Sequence, residues 1–479
     1  MKNKVISSLI WKLLERSGIV FAQFIIQIIL ARLLLPEDYG VVAIVAVFIA
    51  IANVFIQSGF NTALIQKKEV DDTDYSSVFY FSLGIALVIY VILFFTSPLI
   101  ASFYKEPILV PVIRILSLRL FFGAINSIQQ AVVARNLEFK KYFFGSLGGI
   151  LISAVIGIYM AYKGFGVWAL VVQQLVNIIG VVIILFFIVK WRPKLLFSFK
   201  KLKVLLSFGW KLLCSSLIDT LYRNIYDLVI GKVFSSASLA FYSKGKLFSG
   251  AIIQNMDSAV NSVMLPTLSK QQDNKVRLKS MMRRAIVTSA FIVCPLTVGM
   301  IVIARPMIEV VLTNKWIECV PFIQLLAVSY AFWPIQTANL QAINSIGRSD
   351  VYLKLEIIKK TLCVIVLVIT VPMGLIPMAV GQIVLAVLST LVTLYPNKKL
   401  LDYSYYEQFK DLIPSIILSI IMGVIIYLVA FLNLSSIITL IIQILLGIII
   451  YILLAYILKL ECFMYLLNTV KSFLKKRKN

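Results

Sequence analysis

The sequence predicts an all-α polytopic membrane protein, with about 14 transmembrane helices in two six-helix pseudo-symmetric bundles plus two extra C-terminal helices. Three observations lead there. Of the 479 residues, 61% are hydrophobic and 14% charged, well outside the range of soluble domains. Apolar runs of about 20 residues, long enough to cross a bilayer as helices, recur along the chain. The pattern is also written twice, about 200 residues apart. Trp11-Lys12-Leu13-Leu14 returns as Trp210-Lys211-Leu212-Leu213, and Arg32 falls opposite Lys232, Gln57 opposite Asp257, and Asn61 opposite Asn261. A later stretch, FFGAINSIQQA (121–131), returns as FWPIQTANLQA (332–342).

The spans fall, in order, at 11–35, 40–63, 76–98, 108–134, 142–162, 165–189, 208–231, 240–267, 285–304, 318–346, 361–373 with its flanks, 375–395, 412–432 and 434–458. Near-continuous runs joined by short turns argue for helices; a barrel would show alternating segments of about ten residues. The fourth and tenth spans carry many polar residues. In the tenth, Trp333-Pro334 predicts a broken or bent helix, because proline lacks a donor and clashes with the preceding turn. Residues 1–190 form the first lobe, 191–207 a basic linker, 208–396 the second lobe, and 397–479 two additional helices and a basic tail. Six spans return the chain to its starting side. The halves are therefore parallel repeats about an axis along the membrane normal, with a cavity expected between the lobes.

The +25 formal charge is placed as a membrane protein places it. By these boundaries roughly 31 of the 46 Lys and Arg fall in the tails and in alternate loops that share one side, against about 5 on the other. Those loops are 64–75, 135–142, 190–206, 269–284, 347–361 and 396–411. This positive-inside bias predicts both termini in the cytoplasm of a multi-pass bacterial cytoplasmic-membrane protein. In the joint 190–206, KWRPKLLFSFKKLKVLL, apolar and basic residues interleave as in a helix lying on the inner leaflet, or as in a charged loop that fixes topology. The insertion pattern excludes a nucleic-acid binder.

Several chemistries are absent. The five cysteines are scattered without a CxxC pair, and histidine does not occur, which removes histidine relays and metal sites. No cofactor, metal site or catalytic residue is expected. No GxxxxGK[ST] string is present for ATP hydrolysis, and the outer loops, about 4–15 residues long, are too short for a glycosyltransferase or polymerase site. A cleavable secretory signal is not expected, since the first apolar run is too long.

Five strings resemble one family. RNIYDLVIGKVFSSASLAFYSKG (223–245), ARLLLPEDYG (31–40), IQQAVVARNLEF (128–139), LTNKW (312–316) and LQAINSIGRSD (340–350) are similar to bacterial polysaccharide transporters of the WzxC/TuaB type. That family belongs to the multidrug/oligosaccharidyl-lipid/polysaccharide flippase superfamily, with the MATE drug exporters and the lipid II flippase MurJ. The resemblance implies two helical bundles around a central cavity that alternates between inward-open and outward-open. It implies a non-enzymatic exporter of a glycan on a polyprenyl (pyro)phosphate carrier, flipped outward. Membrane lipids, a polysaccharide polymerase and assembly proteins are the expected partners. A MATE-like drug or cation antiporter would share this architecture, but its cavity should be acidic or apolar.

A lipid-linked sugar asks its carrier for cations, then neutral hydrogen-bonding groups, and each ionisable residue within a membrane needs a reason. In the seventh span Lys211, Ser215, Asp219, Arg223 and Asp227 follow at four-residue steps and form one stripe. Arg223 is the candidate for gripping phosphate, and Asp219, Asp227 and Asp257 are the candidates for coupling to H+ or Na+. Alternatively, the Asp219/Arg223/Asp227 triad neutralises itself and only orders the helix. Substrate-facing candidates are Arg16, Gln23 and Gln27 in the first span, Gln57 in the second, Arg119 in the fourth, Asn261 in the eighth, and Gln336 and Gln341 in the tenth. Under the repeat, Gln23 and Gln27 oppose Arg223 and Asp227, so the first lobe is neutral where the second is charged. Ordinary interhelical hydrogen bonding is the competing account of these amides. Arg135 and Arg348, at the cytoplasmic ends of the fourth and tenth spans, are gate candidates, or else positive-inside anchors.

Overall fold

The described residues of the spans placed from the sequence lie largely on helical segments in the computed structural model. It describes residues 2–57, 60–272, 274–465 and 467–468, and no strand occurs among them. The helices, in order, are α1 (Lys2–Leu33), α2 (Pro36–Gln57), α3 (Phe60–Gln66), α4 (Asp72–Tyr104), α5 (Leu109–Leu116), α6 (Arg119–Asn136), α7 (Phe139–Tyr162), α8 (Val167–Ile188) and α9 (Phe199–Val233). They continue as α10 (Ser236–Ser269), α11 (Lys275–Val311), α12 (Val320–Tyr330), α13 (Trp333–Ser345), α14 (Ser349–Thr370), α15 (Leu375–Leu401), α16 (Tyr405–Leu428) and α17 (Ser436–Ile457). The expected break in the tenth span is present, with Pro334 in the first turn of α13, and the fourth span breaks likewise between α5 and α6.

Ten of these helical segments are long and apolar enough to cross a membrane, or up to eleven if the bent pair within α9 is one span. The expected spans outside that set include α10 and α14, which carry charged side chains such as Lys244 and Asp257, and Glu356 and Lys359. The protein is a multi-pass α-helical membrane protein.

The chain divides into two compact units, Met1–Ala240 and Phe241–Asn479. That division falls beyond the linker because α9 packs on α2, α3 and α4. In the first unit α7 and α8 lie in close contact: a Cβ on Gly180 would stand 3.1 Å from the Gly149 Cα. Small residues of this kind let helix backbones approach within a bilayer. Gly40, in the first turn of α2, is tighter still. A Cβ there would stand 1.8 Å from the Ser236 carbonyl oxygen at the start of α10, so only glycine permits that approach.

At the end bearing the basic loops, α4 starts from a capping box between Asp71 and Asp74. The segment after α8 is strapped across this start. Backbone N–H groups of Lys194 and Ser198 donate to the buried hydroxyls of Ser76 and Ser77 at 3.1 and 2.9 Å. Lys194 pairs with Asp72, and Lys201 with Asp71. The Trp191 ring lies 5.7 Å from Tyr75 and 6.0 Å from Phe79. Leu202 and Leu205 then enter a core with Leu64, Val78, Ile128 and Leu185.

In the second unit α11 carries α12, α13, α16 and α17 on its sides, and α15 packs on α12, α13 and α14. The two C-terminal helices are thus built onto α11. Tyr451 of α17 donates to the Phe291 carbonyl at 2.7 Å, and buried Gln443 donates to the Ile426 carbonyl of α16 at 3.1 Å. The start of α11 grips the start of α16 through Lys279 on Glu407 at 3.0 Å and Arg283 on Asp411 at 2.9 Å. Asn339, Asn397 and Gln408 form a buried amide chain nearby. Asn397 donates to the Asn339 side-chain oxygen at 2.8 Å, and Asn339 donates to Gln408 at 3.1 Å.

Candidate functional site

Polar side chains in the first unit line α6 where it packs on α2 and, farther along, on α7. Gln57 donates to Asn53 one turn earlier on α2 at 3.4 Å. Gly123 of α6 leaves room for this pair, since a Cβ there would lie 3.4 Å from the Asn53 side-chain oxygen. Farther along α6, Asn126 and Gln130 both donate to the Tyr142 hydroxyl of α7, at 3.5 and 3.2 Å. Arg119, in the first turn of α6, donates to Gln174 of α8 at 2.6 Å. This stripe of amides with one arginine is chemistry suited to hydroxyl-rich ligands. On α1, Gln23 is exposed and Gln27 half-buried, while the backbone carbonyl of Gln27 accepts from the Tyr39 hydroxyl at 3.3 Å. The Arg16 and Asn61 side chains lie outside the described residues.

On α9 the expected stripe has two levels. Arg223 donates to Asp219 at 2.8 Å, in an ion pair whose arginine is 74% exposed and whose aspartate is 48% exposed. Asp227, two turns beyond Asp219, is buried at 8%. An exposed guanidinium is a group that can meet an anion bidentately.

In the second unit, α10 and α13 are joined by two matching hydrogen-bond rungs. Asp257 and Asn261, one turn apart on α10, accept from Thr337 and Gln341, one turn apart on α13. Gln336 turns the other way, donating to Thr390 at 3.0 Å and to the Ala386 carbonyl at 3.2 Å on α15. The structure therefore brings Asn261 and Gln341 together and separates Gln336 from them.

Both gate candidates are engaged within their own units. Arg135 donates to the carbonyls of Leu64 and Ile65 in the last turn of α3, which lack intrahelical donors, and of Lys67 and Lys68 just beyond it. Arg348 grips both oxygens of Asp350 at 2.9 Å, which holds that carboxyl at about 2.

Sequence reasoning missed Thr337, Gln174, Tyr142 and Thr390 as partners. A threonine or tyrosine in a membrane helix carries no signal by itself, and only the register between helices selects it. The repeat could have found Thr337, since it aligns with Asn126 and both hold a polar position of the tenth and fourth spans. Two of the strings behind the family resemblance also meet in the second unit. The Lys244 ammonium lies 5.4 Å from the Trp316 ring centroid, and a Cβ on Gly245 would fall 2.5 Å from Phe322.

A family model described as polysaccharide biosynthesis protein matches residues 29–321. The succinoglycan biosynthesis transport protein ExoT of Rhizobium meliloti is 24% identical over 67% of this chain, which spans 65% of that relative. The lipopolysaccharide biosynthesis protein WzxC of Escherichia coli is 25% identical over 85% of this chain and 84% of its own length. The teichuronic acid biosynthesis protein TuaB of Bacillus subtilis is 24% identical over 62% of each. Among solved structures, the lipid II flippase MurJ in an inward closed conformation superposes with a TM-score of 0.74 at 19% identity, over 95% of this chain and 98% of its own. An inward-facing multidrug resistance MATE family transporter gives 0.62 at 16% identity, over 81% and 96%. Both are similar to this chain in fold.

Proposed function

Because the chain belongs to the polysaccharide biosynthesis protein family, we propose that it moves a lipid-linked oligosaccharide or polysaccharide repeat unit across the bacterial cytoplasmic membrane. The cargo is a glycan on a polyprenyl pyrophosphate carrier, taken from the inner to the outer leaflet by alternating access. The observation that supports this reading is that the first unit carries both an exposed guanidinium on α9, Arg223, and a stripe of amides on α2 and α6. The guanidinium suits a phosphate and the amides suit sugar hydroxyls; a cation exporter would want carboxylates or bare apolar walls in their place.

Ion coupling runs through the second repeat's carboxylates. Asp227 and Asp257 bind H+ or Na+ in one state and release it in the other, while Asp219 trades Arg223 with the substrate phosphate. Both termini and the 190–206 joint are cytoplasmic, where enzymes that assemble the glycan deliver it; a polymerase takes it on the outer side. The test is a flipping assay in proteoliposomes loaded with a fluorescent polyprenyl-pyrophosphate glycan. The expected result is protein-dependent exposure of the glycan to an external lectin. Equal exposure in protein-free vesicles, with export of a cationic dye by the same preparation, would overturn the reading.

A further inference from the structure

The joint between the repeats has two faces, and among the described residues only one is packed against the rest of the first unit. Its inner face is the strap already described, with Trp191, Leu202 and Leu205 in the core and Lys194 and Lys201 on Asp72 and Asp71. Its outer face presents Leu195, 94% exposed, together with Phe197, Phe199 and Val204, also exposed. Lys190, Lys200 and Lys203 are exposed beside them. No acidic residue occurs anywhere between Glu138 and Asp219.

We propose that the outer face of residues 190–207 is a docking surface for the anionic phospholipid headgroups of the membrane leaflet on the basic side. The reasons are chemical. Large apolar side chains next to lysines match the boundary between acyl chains and phosphates, where the ring or branched chain enters and the ammonium stays at the phosphates. Asp71 and Asp72 already pair with two of the six basic residues in 190–206, Lys201 and Lys194. Arg192 is turned onto the Val189 and Trp191 carbonyls, so the exposed Lys190, Lys200 and Lys203 are the cations that meet a negatively charged surface, and a leaflet of phosphatidylglycerol or cardiolipin supplies one. The hydrogen bonds to Ser76 and Ser77 fix the strap's backbone, so this face is presented in one orientation and loses little freedom on binding. A bound leaflet then holds the first unit at a set depth.

The test uses the full chain with Cys214, the exposed cysteine, changed to serine and Phe197→Cys carrying a bimane label. The protein is placed in phosphatidylcholine vesicles with or without phosphatidylglycerol. Quenching by lipid nitroxides and by aqueous iodide is then compared. The expected result is strong nitroxide quenching and weak iodide quenching with phosphatidylglycerol, reversing severalfold in its absence or at high salt. The combined Lys190→Gln, Lys200→Gln and Lys203→Gln variant should behave in phosphatidylglycerol as the parent does without it. Iodide quenching that is equally strong in both vesicle types would overturn the proposal. So would nitroxide quenching that ignores both the lipid and the lysines, which would make the face merely apolar.

Discussion

Thr337 on α13 donates its hydroxyl to the carboxylate of Asp257 on α10, and the next rung, Gln341 to Asn261, repeats the arrangement one turn along both helices. Two rungs fix the register of the pair in a way a single hydrogen bond would not. Thr337→Val keeps shape and removes the donor, so it should cost about 1 kcal/mol of stability. A lowered apparent melting temperature in detergent, with Asp257→Asn close to the parent because its amide oxygen still accepts, is the expected outcome.

Arg223→Lys should insert normally and still pair with Asp219, yet lose the planar fork that grips a phosphate at two oxygens. Glycan flipping should fall roughly tenfold or more, the loss expected for one charge-assisted hydrogen bond. Full transport by this variant in proteoliposomes would leave Arg223 with only its structural partner.

Asp227→Asn should abolish acceleration by an imposed ion gradient while substrate binding, read by fluorescence of a labelled glycan lipid, stays largely intact. Gradient-dependent flipping in the triple variant Asp219→Asn, Asp227→Asn, Asp257→Asn would place the coupling group elsewhere.

Gly40→Ala should destabilise the first unit by roughly 1–3 kcal/mol, because its Cβ falls 1.8 Å from a backbone oxygen that cannot swing aside. Gly84→Ala on α4 is the control: nothing lies within 4 Å of the added carbon. That change should be neutral or stabilising by about 0.4–1 kcal/mol. Thermal unfolding of the two variants side by side checks the contrast.

The Lys201 side chain beside Asp71 holds that carboxyl at about 2, below its ordinary 3.8. A depressed carboxylate stabilises the fold above its unfolded value and loses that contribution as pH falls through its folded value. The strap should therefore hold unchanged at neutral pH and loosen between about 3.8 and about 2. Hydrogen exchange of the 194–202 amides should rise over that interval, and Asp71→Asn should exchange faster already at neutral pH.

The helices were legible because a bilayer imposes its own length on apolar runs, and even the break at Trp333-Pro334 could be read from the residues. The packing of α9 was not legible. Its polar stripe and its match to α1 assign it to the second repeat, whereas its contacts with α2, α3 and α4 are set by side-chain fit that periodicity does not encode. Within the site, Arg223 with Asp219 followed directly from four-residue spacing. The rungs at Thr337 and Gln341 did not, because spacing along one helix says nothing about register against another. The strap showed its interleaved composition, but which leucines turn inward depends on Ser76 and Ser77, more than a hundred residues earlier.

The two grips at the starts of α4 and α11, equivalent helices in the two repeats, have opposite polarity. In the first repeat aspartates on the helix hold lysines of the connecting segment; in the second, Lys279 and Arg283 on the helix hold Glu407 and Asp411. A duplicated chain risks pairing its parts crosswise while it is being inserted. Here the wrong pairing would set lysine against lysine or aspartate against glutamate, and like charges repel where matched ones attract. Sign inversion thus makes each tether complementary to its own partner and repulsive to the other's.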